Sequence, residues 1–173
     1  RIGAAAVLRS LLDANAIAPA TVGAIGDLVP TLVDGSIIGP PAQEAGTTRL
    51  YLSGDSAQDL AEVLNGGPLE VRAIDGPVGA ASALKMAYAG WTKGSAALLL
   101  AIAGYAEAAG VRDALVTEWE ESIPGLADRA ERTARGVGPK AWRFAGEMRE
   151  IASSLGTVGL PDGFHLAAAD LYE

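Results

Sequence analysis

Gly76-Pro77-Val78-Gly79-Ala80-Ala81-Ser82-Ala83-Leu84-Lys85-Met86-Ala87-Tyr88 is where the chain changes character, and its reading decides the fold. Proline and glycine punctuate the start of the stretch, then small helix formers continue well past it. Lys85 sits among alanines, a serine, Leu84 and Met86. An ammonium in such company either snorkels to water or does chemistry, because burying an unpaired charge is costly.

Downstream of this stretch the pattern is entirely helical. A helix over 79–109 spans roughly thirty residues, or about 45 Å at the usual rise. Its middle, 95–106, is apolar on every side, which predicts burial all round. Further helices are expected over 111–122 and over 124–135, the latter opened by Pro124. Pro139 opens the next, with Trp142, Ala145, Met148, Ala152 and Leu155 on its inner side and Arg143, Glu147 and Glu150 on its outer side. Asp162 caps a last helix over 163–172.

Upstream, strand-like and helical segments alternate. Strands are predicted over 31–38, 49–53 and 69–74, with helices over 20–28 and 57–64. Ser56 with Asp59 three residues on reads as a capping box. Such alternation is that of the trailing edge of a doubly wound α/β sheet. The boundary falls near Asp75, giving an α/β segment over 1–75 and an all-α domain over 76–173.

Composition narrows the function. The net charge of −8 opposes non-specific nucleic-acid binding. No cysteines and a single histidine leave no disulfide framework, no thiolate chemistry and no expected metal site. The apolar run 94–110 contains Glu107 and is too short and rich in small residues to predict a membrane span. The start, Arg1-Ile2-Gly3, does not read as a leader, and a cytoplasmic location is expected.

The segments in this order resemble the β-hydroxyacid dehydrogenase superfamily, which includes 6-phosphogluconate and 3-hydroxyisobutyrate dehydrogenases. Within it the chain is most similar to a bacterial branch of phosphogluconate dehydrogenase-like oxidoreductases. Asp34-Gly35-Ser36-Ile37-Ile38-Gly39-Pro40 is similar to the family's substrate loop, Asp-Ala-Pro-Val-Ser-Gly-Gly. The stretch from Gly79 through Lys85 to Ala89 resembles its catalytic segment, Gly-x-Gly-x-x-x-Lys-x-x-x-Asn, and Arg149-Glu150-Ile151 stands where the family has Lys-Asp-Leu. The resemblance implies a Rossmann-type α/β remnant followed by an all-α domain built on one long central helix. It also implies hydride exchange with NAD or NADP, a small hydroxy acid or related polar substrate, and Lys85 as general acid/base. No glycine triad stands between a strand and a helix near the start, since Gly3, Gly23 and Gly26 do not fit the fingerprint. The chain is therefore expected to be a portion of a longer protein, with most of the coenzyme domain outside it.

Around Lys85, the substrate-side candidates are Gly39, Tyr88, Ala89, Lys93, Arg149 and His165. Lys93 lies two turns beyond Lys85 and could hold an anionic group or pair with an acid. Arg149 is a candidate by its place in the family pattern, and His165 by its position in the first turn of the last helix. Asn15, in a loop after a strand, is a candidate for coenzyme contact. Three departures stand against a simple transfer: Ile38 replaces the loop serine, Pro40 a glycine, and Ala89 the asparagine. They leave open a catalytically silent dimerising or ligand-binding module, and imine rather than alcohol chemistry. The long helix is expected to build an intertwined homodimer, each site completed by the partner's last helices.

Overall fold

A computed structural model describes residues 11–138 and 141–173. Gly3, Pro139 and the helix opening expected at Pro139 lie outside them. The elements run β1 (Leu11–Asp13), α1 (Pro19–Gly26), β2 (Leu32–Ile38), β3 (Thr48–Ser53), α2 (Ala57–Leu64), β4 (Leu69–Ala73), α3 (Ala80–Ala108), α4 (Arg112–Ser122), α5 (Leu126–Val137), α6 (Trp142–Thr157) and α7 (Gly163–Tyr172). The chain forms two compact units that meet inside α3, the first ending at Tyr88 and the second running from Ala89 to Glu173.

In the first unit the strands are ordered β1-β2-β3-β4, one more than the three that the sequence pattern bounds. β1 is only three residues long and too short to show a period. It pairs parallel with β2, β2 antiparallel with β3, and β3 parallel with β4. The short loop between β2 and β3 suffices for an antiparallel pair, whereas the β3–β4 crossover needs α2. One sheet face is apolar: Val33, Leu50, Leu52 and Val71 pack with Ala57 and Ala61 of α2. The alternate positions are polar. Asp13, Asp34 and Ser53 stand in register across three strands, all buried, with Ser36 two residues along β2.

Two glycines are fixed by close approach. A Cβ on Gly35 would lie 2.9 Å from Leu12 Cδ1 and 3.1 Å from the Asp13 carbonyl oxygen, so a side chain there would part β1 from β2. Gly39 has φ of +129°, and a Cβ there would strike the Thr47 carbonyl and lie 2.9 Å from Thr48 Cα. Ser56 does precede α2, but its side chain makes no capping bond; it is buried, and the helix start is held by backbone bonds. Asp162 likewise precedes α7 without a side-chain cap.

The second unit is helical throughout. Ala145, Met148, Ile151 and Ala152 of α6 are buried, as are Ala168, Ala169 and Tyr172 of α7. Gly90 and Gly94, one turn apart on α3, let α7 come close: a Cβ on Gly94 would lie 3.1 Å from Phe164 Cε1 and 3.3 Å from His165 Nε2. The all-round burial expected for 95–106 does not hold within one chain. Ala97, Leu99 and Ala106 are buried, but Leu98 and Ile102 are exposed and Tyr105 is 70% exposed. The second unit's own helices cover only one side of the rod.

Candidate functional site

Lys85 lies in the second turn of α3, three residues after Ser82, so the two side chains are neighbours on the helix surface. Its ammonium is half-buried and makes no hydrogen bond or ion pair with another described residue. Burial pushes its pKa below the ordinary lysine value. Relative to a fully exposed lysine, that burial favours the neutral amine, the form able to accept a proton.

The turn before it is tied to the polar face of the sheet. The Ser82 N–H donates to Asp34 Oδ2 at 2.8 Å, and the Ser82 hydroxyl to Asp34 Oδ1 at 2.7 Å. Ser53 Oγ donates to Asp34 Oδ2 at 3.3 Å and accepts the Ala81 N–H at 3.0 Å. This network was hidden in the sequence, where Asp34 reads as part of a strand over 31–38 that is also similar to a substrate loop, with nothing local to mark its partners. The available signal was the polar-apolar alternation of Val33-Asp34-Gly35-Ser36-Ile37 in a strand, which gives β2 a polar face.

Asn15 follows β1 and is exposed; its amide donates to Asp13 Oδ1, while the other Asp13 oxygen is buried without a partner among the described residues. Asn15 is thereby linked to the row that Asp13 and Asp34 form, while Lys85 stands one turn after the Ser82 that Asp34 holds. Gly39 is not near that row: it lies five residues beyond Asp34, about 16 Å along an extended strand. Its glycine is accounted for by the backbone conformation and the close Thr47–Thr48 segment. Tyr88, the last residue of the first unit, is about half exposed.

In the second unit, Ala89 is buried. Lys93 forms an ion pair with Glu147 of α6, and its ammonium stands 4.7 Å from the centre of the Phe144 ring. Tyr172 donates its hydroxyl to the Lys93 carbonyl at 2.6 Å and meets Phe144 edge-on. Glu147 is thus half-buried and paired, not on a solvated face; a partner 54 residues away leaves no trace in local periodicity. Arg149 pairs with Glu173 at 2.6 Å in the open. His165 packs over Gly90 and Gly94, with Nε2 3.4 Å from the Gly90 carbonyl and Nδ1 buried without a partner among the described residues.

A cavity of about 620 Å³ opens beside Gly26, Thr31, Gly54, Ser56 and Val78, and none of the candidate residues lines it. Among the described residues no group of three or more His, Cys, Asp or Glu side chains could hold a metal, and no helix is long and apolar enough to cross a membrane.

Comparison with known proteins agrees with this architecture. Residues 106–173 match a family described as Domain of unknown function (DUF1932). No curated protein matches the sequence. A conserved hypothetical protein from Sinorhizobium meliloti is 28% identical over 94% of this chain, with a TM-score of 0.78. The conserved protein MTH1747, of unknown function and described as structurally similar to 3-hydroxyacid dehydrogenases, is 25% identical over 94% of the chain, with a TM-score of 0.76. The 3-hydroxyisobutyrate dehydrogenase of Mycobacterium tuberculosis, in a structure with L-serine, shares the fold at 14% identity, a TM-score of 0.65 and 94% coverage of this chain. The chain spans 56%, 65% and 63% of the lengths of these three.

Proposed function

We propose that this chain, which shares its fold with a 3-hydroxyisobutyrate dehydrogenase and with a protein described as similar to 3-hydroxyacid dehydrogenases, is part of an NAD(P)-dependent oxidoreductase of the β-hydroxyacid dehydrogenase type acting on a small hydroxy acid or related polar substrate. The observation that carries this reading is Lys85, a half-buried lysine without a described partner at the anchored start of the long helix. In the oxidising direction the neutral Lys85 amine takes the hydroxyl proton as the substrate's C–H bond gives up hydride, leaving a carbonyl and an ammonium. In reduction the ammonium returns that proton to the oxygen. A nicotinamide ring, when bound, accepts or supplies the hydride. Asn15, exposed beside the unpartnered Asp13 oxygen, fits the edge of such a coenzyme, while no glycine-rich cradle for its diphosphate is found among the described residues. The chemistry and the absence of cysteine agree with a cytoplasmic setting.

The test is nicotinamide absorbance in the intact protein, with NADH or NADPH and a panel of small hydroxy acids, their keto acids and cyclic imines. Turnover of a hydroxy or keto acid supports the reading. Turnover of imines alone replaces it with imine chemistry, and no coenzyme binding at all leaves a silent module.

A second copy of the chain is the partner assigned to α3. Trp91, 71% exposed, with Leu98, Ile102 and Tyr105 forms an apolar stripe at three-, four- and seven-residue spacing along the second unit's part of the helix. That spacing suits helix–helix contact between copies. Light scattering is expected to give twice the monomer mass for the wild type and a monomer for Trp91→Glu with Ile102→Glu. A wild-type monomer contradicts the assignment.

A further inference from the structure

We propose that Asp34 is the positioning residue for Lys85: a buried carboxylate on β2 that grips the first turn of α3 and so fixes where the lysine one turn later stands. The inference rests on Lys85 being the proton-transfer residue.

A carboxylate without solvent contact persists only when donors surround it. Asp34 has no exposed surface, and its oxygens receive three hydrogen bonds, two of them from the backbone and hydroxyl of Ser82. The first N–H groups of a helix have no partner inside it. Here the Ser82 N–H goes to Asp34, and the Ala81 N–H goes to Ser53 Oγ, itself bonded to Asp34. The helix carries no acidic residue in its own first turn, so the negative group that suits its positive end comes from the sheet, 48 residues upstream. Two bonds to one residue set both the height and the rotation of the turn. Ser82 and Lys85 are neighbours on the helix surface, so that setting passes directly to the lysine. The in-register position of Asp34 between Asp13 and Ser53 holds the anchor itself in the middle of three paired strands.

The test needs no substrate. In the intact protein the lysines are reductively methylated with carbon-13 formaldehyde, which preserves their charge, and the Lys85 signal is assigned by its loss in Lys85→Met. Amide exchange at Ala81 and Ser82 is measured alongside. In Asp34→Ala, exchange at both amides is expected to quicken at least tenfold, and the Lys85 midpoint to rise toward the ordinary lysine value as the turn opens to water. Loss of a nearby negative charge would by itself lower a lysine's pKa, so a rise reports solvation and not charge. Asp34→Asn, whose amide oxygen can still accept from the Ser82 N–H, is expected to restore most of both readouts. An unchanged or lowered Lys85 midpoint in Asp34→Ala, with or without a loss of thermal stability, overturns the proposal and leaves Asp34 a stabilising residue only. Should Asp34→Ala fail to fold, Ser82→Ala removes the hydroxyl bond alone, and the same two outcomes decide. These readouts are independent of turnover: if Lys85 proves dispensable for activity, the function proposed above fails while the anchoring result stands.

Discussion

Replacing Lys85 by Met in the intact protein is expected to lower turnover by about a hundred- to ten-thousand-fold, the usual contribution of a positioned general acid or base. Met keeps the helix propensity and the length of the side chain while removing the amine. The half-buried ammonium carries a desolvation cost, so thermal stability should hold or rise slightly. Coenzyme titrations should be unaffected, because the change touches the proton and not the nicotinamide. Turnover retained within a few-fold would favour the silent or non-lysine alternatives. The wild-type pH profile carries the matching signature. Oxidation should quicken as pH rises through the Lys85 pKa and the amine becomes neutral, while reduction, which needs the ammonium, should slow over the same range. Stability follows the same group. With the folded pKa depressed below the ordinary lysine value of 10.5, the unfolded chain binds more protons between the two values. Stability therefore rises with pH across that window, and the burial cost is fully present below it.

Leu52→Ala should have the largest effect on folding in the first unit, a loss of about 3–5 kcal/mol by comparison with other buried leucine truncations. Leu52 has no exposed surface and packs on the apolar sheet face with Val33, Leu50, Val71 and the two alanines of α2. The small side chains of α2 cannot swing in to fill the space. The next residue, Ser53, donates to Asp34 and accepts from Ala81, so the loosened strand also weakens the grip on α3. Urea unfolding of wild type and variant checks it; a change below about 1 kcal/mol would mean that the sheet repacks around the gap.

The elements were legible wherever a period ran long enough to declare itself. The long helix, its proline and glycine entry, β2 to β4 and α2 stand within a few residues of their predicted places because alternation and capping residues mark them locally. β1 was expected only as an unbounded strand before Asn15, because three residues show no period. The burial expected for 95–106 is met on one side within one copy: an all-apolar helix demands cover, but the sequence does not say which chain supplies it, and Leu98, Ile102 and Tyr105 remain exposed. At the site, the apolar neighbours of Lys85 left snorkelling and chemistry both open, and its proposed role comes from the family resemblance; the structure adds its half-burial. Its support was not legible. Asp34, Ser53 and Ser82 are separated by at least 19 residues; the register of β2 with β3 brings the first two together and the first turn of α3 brings Ser82 to Asp34. The same reason hid Glu147 as the partner of Lys93.

The central claim is that Lys85 is a partly desolvated amine held ready for proton transfer, and its titration in the intact wild-type protein tests this most directly. Lys85 should titrate below the ordinary lysine value of about 10.4. A Lys85 signal that titrates like a free surface lysine would contradict the account.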